Sequence, residues 1–421
     1  MAGLRADAAV AASDPARLDD TGPLLVVTVP ASPVTTRSFH LPNNPHTSAM
    51  ETVNVLLLGF GNVGQAFASM ILAEQAELNS KGIEIRVLGI STSSHGCTAT
   101  WTGAGVDLPA CLAASAEGGV WRLPDGSVAV DSTEALLAAA AAARTTESVV
   151  VDAVIEAIPA NYETGEPALS YLRTAIRDLE CHAITASKGP VLHGYSDLTS
   201  AAEKFGKRFL FESSVMDGVP VFSFARAMPA ARIIGFEGIL NSTTNIILTE
   251  MEERQCSFDE ALAKAQREGI AERDPTGDVD GHDAAIKVAV LAAVLLEGGK
   301  PGLSVKREGI ARVTLDDIAA ASERGGRLKL VCSCMRGEGG EIVAKVELKE
   351  LPLADMLANI DGASSVVRLI FDGLAPISIV SHDPQNADTA YGVFADLLTA
   401  VCGDGCGLGR LKGRIEAAAK C

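Results

Sequence analysis

The sequence predicts an α/β protein in two parts: a mostly parallel sheet wrapped by helices, then an α+β part with an open mixed sheet. Three observations carry that reading. An apolar strand runs into a glycine-rich turn and a helix at residues 53–71. Buried-strand runs recur at 83–90 and 149–158, with helical stretches between them. The segment 271–296 crowds carboxylates and one lysine at the mouth of an apolar helix. Wholly apolar strands alternating with helices mark a parallel sheet covered on both faces.

Composition narrows the function before any motif does. At 421 residues, nearly half of them apolar, the chain can bury more than one core. A formal charge of -18 argues against a nucleic-acid partner, because phosphate contacts need clustered Lys and Arg. Small-molecule chemistry is favoured. No uncharged apolar run reaches the ~20 residues a membrane helix requires, since Lys287 interrupts the run at 284–296. The 9 cysteines form no CxxC pair at zinc spacing and read as reduced thiols in a cytosolic-type compartment, so a cytoplasmic location is expected. Residues 1–49 are rich in Ala, Pro, Ser and Thr and read as a disordered or leader extension. Asp7, Asp14, Asp19 and Asp20 are unusual in an organelle transit peptide, but plastid import through this extension stays open, as does a start at Met50.

Taken in order, the first element is VNVLLLGFGNVG, residues 53–64. Its Gly59, Gly61 and Gly64 have the G-x-G-x-x-G spacing, and Val63, Phe67, Met70 and Ile71 form one stripe of the following helix. Gly59 permits the tight turn, Gly61 lets backbone approach a pyrophosphate, and Gly64 lets helix pack on strand. This is the Rossmann dinucleotide-binding arrangement, with Gly59, Gly61, Asn62, Val63 and Gly64 as cofactor contacts and the phosphates on the helix N-terminus. The next strand, 83–90, ends in Ser91, Thr92, Ser93, Ser94 and His95. Without a carboxylate to repel a 2′-phosphate, this end favours NADP(H) over NAD(H), with Ser91 as a contact; a plain polar loop is the alternative. An alanine-rich helix begins near Glu134, with Asp131 and Glu134 spaced as a capping box. The strand at 149–158 ends in PANYETGEP, at the edge where doubly wound sheets bind ligands. HAITASKGPV then delivers Lys188, either to cofactor and substrate or to a surface turn.

Glu272, Asp274, Asp278, Asp280 and Asp283 follow within a segment broken by Pro275, Gly277 and Gly281. Asp283 and Lys287 lie four apart, on one helix face, and VAVLAAVLL follows without a polar residue. A surface pair of this kind contributes only about 0.2–0.5 kcal/mol. At the buried start of an apolar helix, the same charges cost several kcal/mol unless paired or used. A calcium loop is excluded, because the twelfth position from Asp278 is Ala289 rather than glutamate.

The segments GFGNVG, IPANYETGEPALSYLRTAI, ITASKGPV, FESSVMDGVPVF, GILNSTTNIILTEME, SFDEALAKAQREGIAERDP and DVDGHDAAIKVAVLA together resemble the homoserine dehydrogenase family in sequence order, over about residues 52–296. The resemblance implies NAD(P)H-dependent reduction of L-aspartate 4-semialdehyde to L-homoserine. It gives Lys287 the role of catalytic acid, with Asp278 and Lys188 beside the reacting centre. Glu272 and Asp283 match residues that hold the amino acid. Glu212 matches the carboxylate of a monovalent cation site, Na+ or K+, completed by backbone carbonyls at Val215, Asp217 and Val219; a buried, capped glutamate is the alternative. The family's dimeric habit implies a homodimer. On this reading residues 50–192 and 380–421 form the Rossmann domain, and residues 193–379 the catalytic and dimerisation domain, with strands in LKLVCSC and EIVAKVEL.

The chain departs from the family pattern at several points. Met216 and Asp217 stand where small residues are usual, Ser242 where glycine is usual and Ser187 where asparagine is common, and HDPQNADTAYG replaces a glycine-rich nucleotide contact at 382–392. Little chain follows the last helix, so a regulatory ACT domain is not expected. Two rivals stay open: an oxidoreductase acting on another amino-acid aldehyde or hydroxy acid, and a catalytically silent NADP-binding sensor. Lys188, Glu272, Asp283 and Lys287 together speak against the second.

Overall fold

The computed structural model describes residues 50–93, 96–101, 105–117, 128–146, 149–296 and 303–403. The expectations for residues 1–49, and for Ser94 and His95, lie outside the described residues.

Seven strands form the first sheet: β1 (Glu51–Leu58), β2 (Ile83–Ser91), β3 (Cys97–Ala99), β4 (Val128–Val130), β5 (Ala153–Glu156), β6 (His182–Thr185) and β7 (Phe209–Leu210). Their order is β4-β3-β2-β1-β5-β6-β7. From β2 through β7 every pairing is parallel, while β3 and β4 are antiparallel additions at one edge. Val55, Leu56, Leu57 and Leu58 of the central strand are wholly buried, which is why that strand reads as an unbroken apolar run. Each such side chain contributes roughly 1.5–3 kcal/mol by leaving water. The helix Asn62–Ser80 covers one face through Phe67 and Ile71. The helix Asn386–Cys402 returns to the same face, its Phe394 ring 6.4 Å from Phe67.

The second sheet contains β8 (Ile233–Ile239), β9 (Val305–Arg307), β10 (Gly326–Arg336), β11 (Ile342–Pro352), β12 (Ser365–Phe371) and β13 (Ile377–Ser381), in the order β13-β12-β8-β10-β11-β9. It is mixed, because β9 pairs parallel to β11 and the other pairs are antiparallel. The helix His282–Leu295 packs against it through Val288 and Leu291, both wholly buried. Gly281 starts this helix in the left-handed region, φ 76°, where a Cβ would lie 2.5 Å from the Glu308 carbonyl oxygen. Only glycine fits there.

Two local expectations change. The boundary at 192 falls inside the helix Lys188–Lys204, and β7, lying beyond it, still belongs to the first sheet; a two-residue strand leaves no periodic signal. The helix Thr133–Thr145 is capped by Ser132, whose hydroxyl accepts from Ala135 N–H at 3.2 Å, and not by Asp131. Glu134 instead accepts a hydrogen bond from the Tyr171 hydroxyl at 2.6 Å.

Candidate active site

The glycine turn has the shape a pyrophosphate requires. Gly59 has φ 100°, and a Cβ there would lie 2.3 Å from the Ala157 carbonyl oxygen. A Cβ on Gly64 would lie 2.4 Å from the Gly59 carbonyl oxygen. Gly61 differs, since a Cβ would meet nothing within 4 Å. The fold therefore needs Gly59 and Gly64, whereas the space at Gly61 is open to a ligand. No side chain caps the helix Asn62–Ser80 that begins there. With Asn62 exposed and Val63 half-buried, the first N–H groups are left for an anion. These residues fit a dinucleotide.

At the end of β2, Ser91 turns inward. It is buried, 1% exposed, and its hydroxyl accepts from Thr133 Oγ1 at 2.9 Å. Strand alternation turns it toward the alanine-rich helix, leaving Thr92 and Ser93 as the more accessible residues at the end of β2.

A buried carboxylate stabilises the neighbouring loops. Glu156 ends β5, wholly buried, and accepts from Ile158 N–H at 2.8 Å, Ser187 Oγ at 3.0 Å and Thr185 Oγ1. Burial pushes its carboxyl above the ordinary range despite those donors. These bonds fix the turn out of β6, so Lys188 becomes the first residue of the helix Lys188–Lys204. Its ammonium lies 5.7 Å from the centroid of the Tyr162 ring, within cation–π reach.

From that helix start, Lys188 reaches the second part of the molecule. Its Nζ lies 3.4 Å from Asp283 Oδ1, and Lys287 Nζ lies 3.0 Å from Asp283 Oδ2. Asp283 thus bridges two lysines brought from separate elements, with all three side chains about four-fifths buried. Lys287 also donates to the Leu240 carbonyl at 2.7 Å. An ammonium has three protons, so one is left for a substrate oxygen. Asn241 completes the cluster: its Nδ2 donates to Asp278 Oδ1 at 2.7 Å and to Asp283 Oδ2 at 3.1 Å. Its Oδ1 caps the helix Ser242–Arg254 at Thr244 N–H, 2.9 Å away.

The charges set one another's titration. Burial alone would raise the Asp283 carboxyl, but the Lys287 and Lys188 ammoniums and the Asn241 amide outweigh it and hold the group well below the usual carboxylate range. Burial alone would lower Lys287, yet Asp283, with a further contribution from Asp217, raises it. Lys287 is therefore held charged at neutral pH.

Of the expected site residues, Lys188, Asp278, Asp283 and Lys287 come together. Glu272 does not: it is exposed, and its side chain has no hydrogen bond or ion pair among the described residues. Asp274 caps its own turn, accepting from Thr276 Oγ1 at 2.6 Å. Asn241 went unrecognised in the sequence because an Asn before an apolar helix reads as a cap, and its partners are 37 and 42 positions away.

At the expected cation site Glu212 is buried and capped by protein donors. Glu212, 3% exposed, accepts from the N–H groups of Phe222 and Ser223 at 2.6 and 2.8 Å, and from the Ser223 hydroxyl, with Arg226 at 3.5 Å. Those donors engage both of its oxygens. The Val219 carbonyl accepts from Val221 N–H at 2.8 Å. Val215 is buried, and Asp217, at φ 58°, accepts from Thr389 Oγ1 at 3.2 Å. Among the described residues, no three His, Cys, Asp or Glu side chains gather as a metal cluster. The segment 382–392 is tied to this loop, Ser213 Oγ donating to the Thr389 carbonyl at 2.7 Å.

Comparison with known proteins places this arrangement. The sequence model of the homoserine dehydrogenase family matches residues 220–398. A Pseudomonas canavaninivorans protein named NAD(+)-dependent homoserine dehydrogenase is 34% identical over 352 residues, covering 83% of this chain and 96% of its own. A Methanocaldococcus jannaschii homoserine dehydrogenase is 30% identical, with 82% and 98% covered. The crystal structure of a homoserine dehydrogenase from Thiobacillus denitrificans superposes with a TM-score of 0.66 at 29% identity, covering 84% of this chain and 74% of that one.

Proposed function

From the chain's membership of the homoserine dehydrogenase family, we propose that the Lys188–Asp283–Lys287 bridge is the centre at which L-aspartate 4-semialdehyde is reduced to L-homoserine. The observation that carries this is Asp283 holding two lysines at 3.0 and 3.4 Å while one Lys287 proton stays uncommitted. The nicotinamide cofactor supplies the hydride. Lys287 donates a proton to the carbonyl oxygen as negative charge develops there, and its raised titration keeps that proton available at neutral pH. Asp283 and the Leu240 carbonyl fix the direction of the ammonium. Asp278, with one oxygen held by Asn241, supplies negative charge for the substrate's α-ammonium group, and Lys188, 3.4 Å from Asp283, supplies positive charge for its carboxylate.

No carboxylate stands at Ser91, Thr92 or Ser93 to repel a 2′-phosphate, which supports use of NADP(H). The Pseudomonas relative bears an NAD(+)-dependent name, so both cofactors belong in the assay. Purified full chain with homoserine and either NADP+ or NAD+, followed by nicotinamide absorbance, should turn over, with the larger kcat/KM for NADP+. A larger value for NAD+ would overturn the cofactor assignment. No turnover with either, while both bind, would overturn the role of the bridge. A homodimer is proposed with it, to be read from light scattering. Among the described residues, no helix is long and apolar enough to cross a membrane.

A further inference from the structure

We propose that a cationic cleft at the far ends of the two lysine-bearing helices binds a small organic polyphosphate, at a place separate from both cofactor and substrate. The cleft encloses about 700 Å³, the size of a small-molecule site. Its wall carries Lys207, Arg208, Arg226, Arg232 and Arg336 against one carboxylate, Glu203. That excess of positive charge occurs in a chain whose formal charge is -18. Ser187 and Lys188 open the helix Lys188–Lys204, and Glu203 lies near its end, so at 1.5 Å per residue roughly 20 Å separates the cleft from the bridge. Val294 and Leu295 line the cleft at the opposite end of the helix that carries Asp283 and Lys287.

The fold itself uses only part of this charge. Arg336 donates to the Leu296 carbonyl, and Arg226 donates to Ser223 Oγ at 2.7 Å beside Glu212. Those two are fixed walls. Arg232 meets Asp372 at 3.4 Å, but both side chains are more than half exposed, and such a pair contributes little. The Lys207 ammonium acts on the largely buried Asp152 through space, but no side-chain hydrogen bond or close ion pair to a described residue fixes it. Guanidinium groups match phosphate oxygens in pairs, which favours phosphate over a lone carboxylate. Behind the cations stand Phe209, Phe211 and Phe222, with ring centroids 5.0 and 4.9 Å apart, a rigid apolar floor for the organic part of the ligand.

The test is calorimetric titration of the full chain, saturated with NADPH to block the dinucleotide site, using ATP and inorganic triphosphate as probes. ATP should bind, more tightly than triphosphate, and the affinity should fall with added salt. The double variant Lys207→Ala/Arg232→Ala should weaken ATP at least 10-fold while leaving NADPH affinity and Tm unchanged; Glu203→Gln should tighten it. Absence of ATP binding under saturating NADPH, or undiminished binding by the double variant, overturns the site. Equal affinity for ATP and triphosphate overturns the role of the aromatic floor.

Discussion

Replacing Asp283 by Asn keeps the shape of the bridge and removes the charge that poises both lysines. A unit pair at the 3.0 Å separating Asp283 from Lys287 is worth roughly 5 kcal/mol at an effective dielectric of about 20, before desolvation offsets much of it. Every ~1.4 kcal/mol lost changes the ratio of charged to neutral Lys287 about tenfold. Forfeiting half of the gross attraction therefore shifts that ratio by roughly 100-fold toward the neutral amine. The direction of the pH effect follows. Lys287 is raised in the native protein, so reduction, which needs the charged form, should hold its rate through neutral pH and decline only on the far alkaline side. Homoserine oxidation needs the neutral form and should climb with pH. In Asp283→Asn both alkaline limbs move to lower pH, and kcat for reduction falls about 10- to 100-fold because one of two ammonium anchors is weakened. Initial rates in both directions across the neutral and alkaline range measure this, with Tm recorded to exclude unfolding. A folded variant with unmoved limbs and a rate within twofold of the native enzyme would refute the argument.

Other perturbations test separate links. Gly61→Ala should fold normally and weaken cofactor binding at least 10-fold, whereas Gly59→Ala, at φ 100° with the Ala157 oxygen 2.3 Å from its Cβ, should lower Tm by several degrees; the opposite ranking in a thermal melt and cofactor titration would contradict the assigned roles. Asn241→Asp keeps the cap on Thr244 but sets a carboxylate against Asp278 and Asp283, so kcat/KM should drop at least 10-fold with a modest change in Tm. Full activity would reduce Asn241 to a helix cap. Burial, helped by the nearby Glu212 carboxylate, pushes Asp396 up to about 8. A carboxyl raised on folding stabilises the protein below its unfolded pKa of about 4, and that contribution is lost as pH rises toward 8. Asp396→Asn should therefore gain Tm relative to the native chain above pH 8, and gain nothing near pH 4.

The parts legible in the sequence are those dictated over short distances. Gly59, Gly61 and Gly64 announce strand, turn and helix because backbone geometry admits no other residue at two of those positions. Asp283 and Lys287 share a helix face, so their pairing follows from spacing four. What the sequence conceals depends on distant packing. Ser91 lies at the expected strand end yet faces Thr133, a choice of side that the helix across the sheet decides. Glu212 carries the carboxylate the family resemblance calls for, and the start of the helix Val221–Arg226 donates to both its oxygens, a contact the spacing does not announce. Asn241 links Asp278 and Asp283 from more than 35 residues away. The cationic cleft has no sequence signature, because its charges come from four separated stretches of chain.

The central claim is that Lys287 delivers the proton. Lys287→Ala, assayed for kcat with aspartate semialdehyde and for cofactor affinity by direct titration, should lose turnover by roughly 10² or more with cofactor binding intact. Retained turnover, or a variant that folds but loses the cofactor, would contradict it.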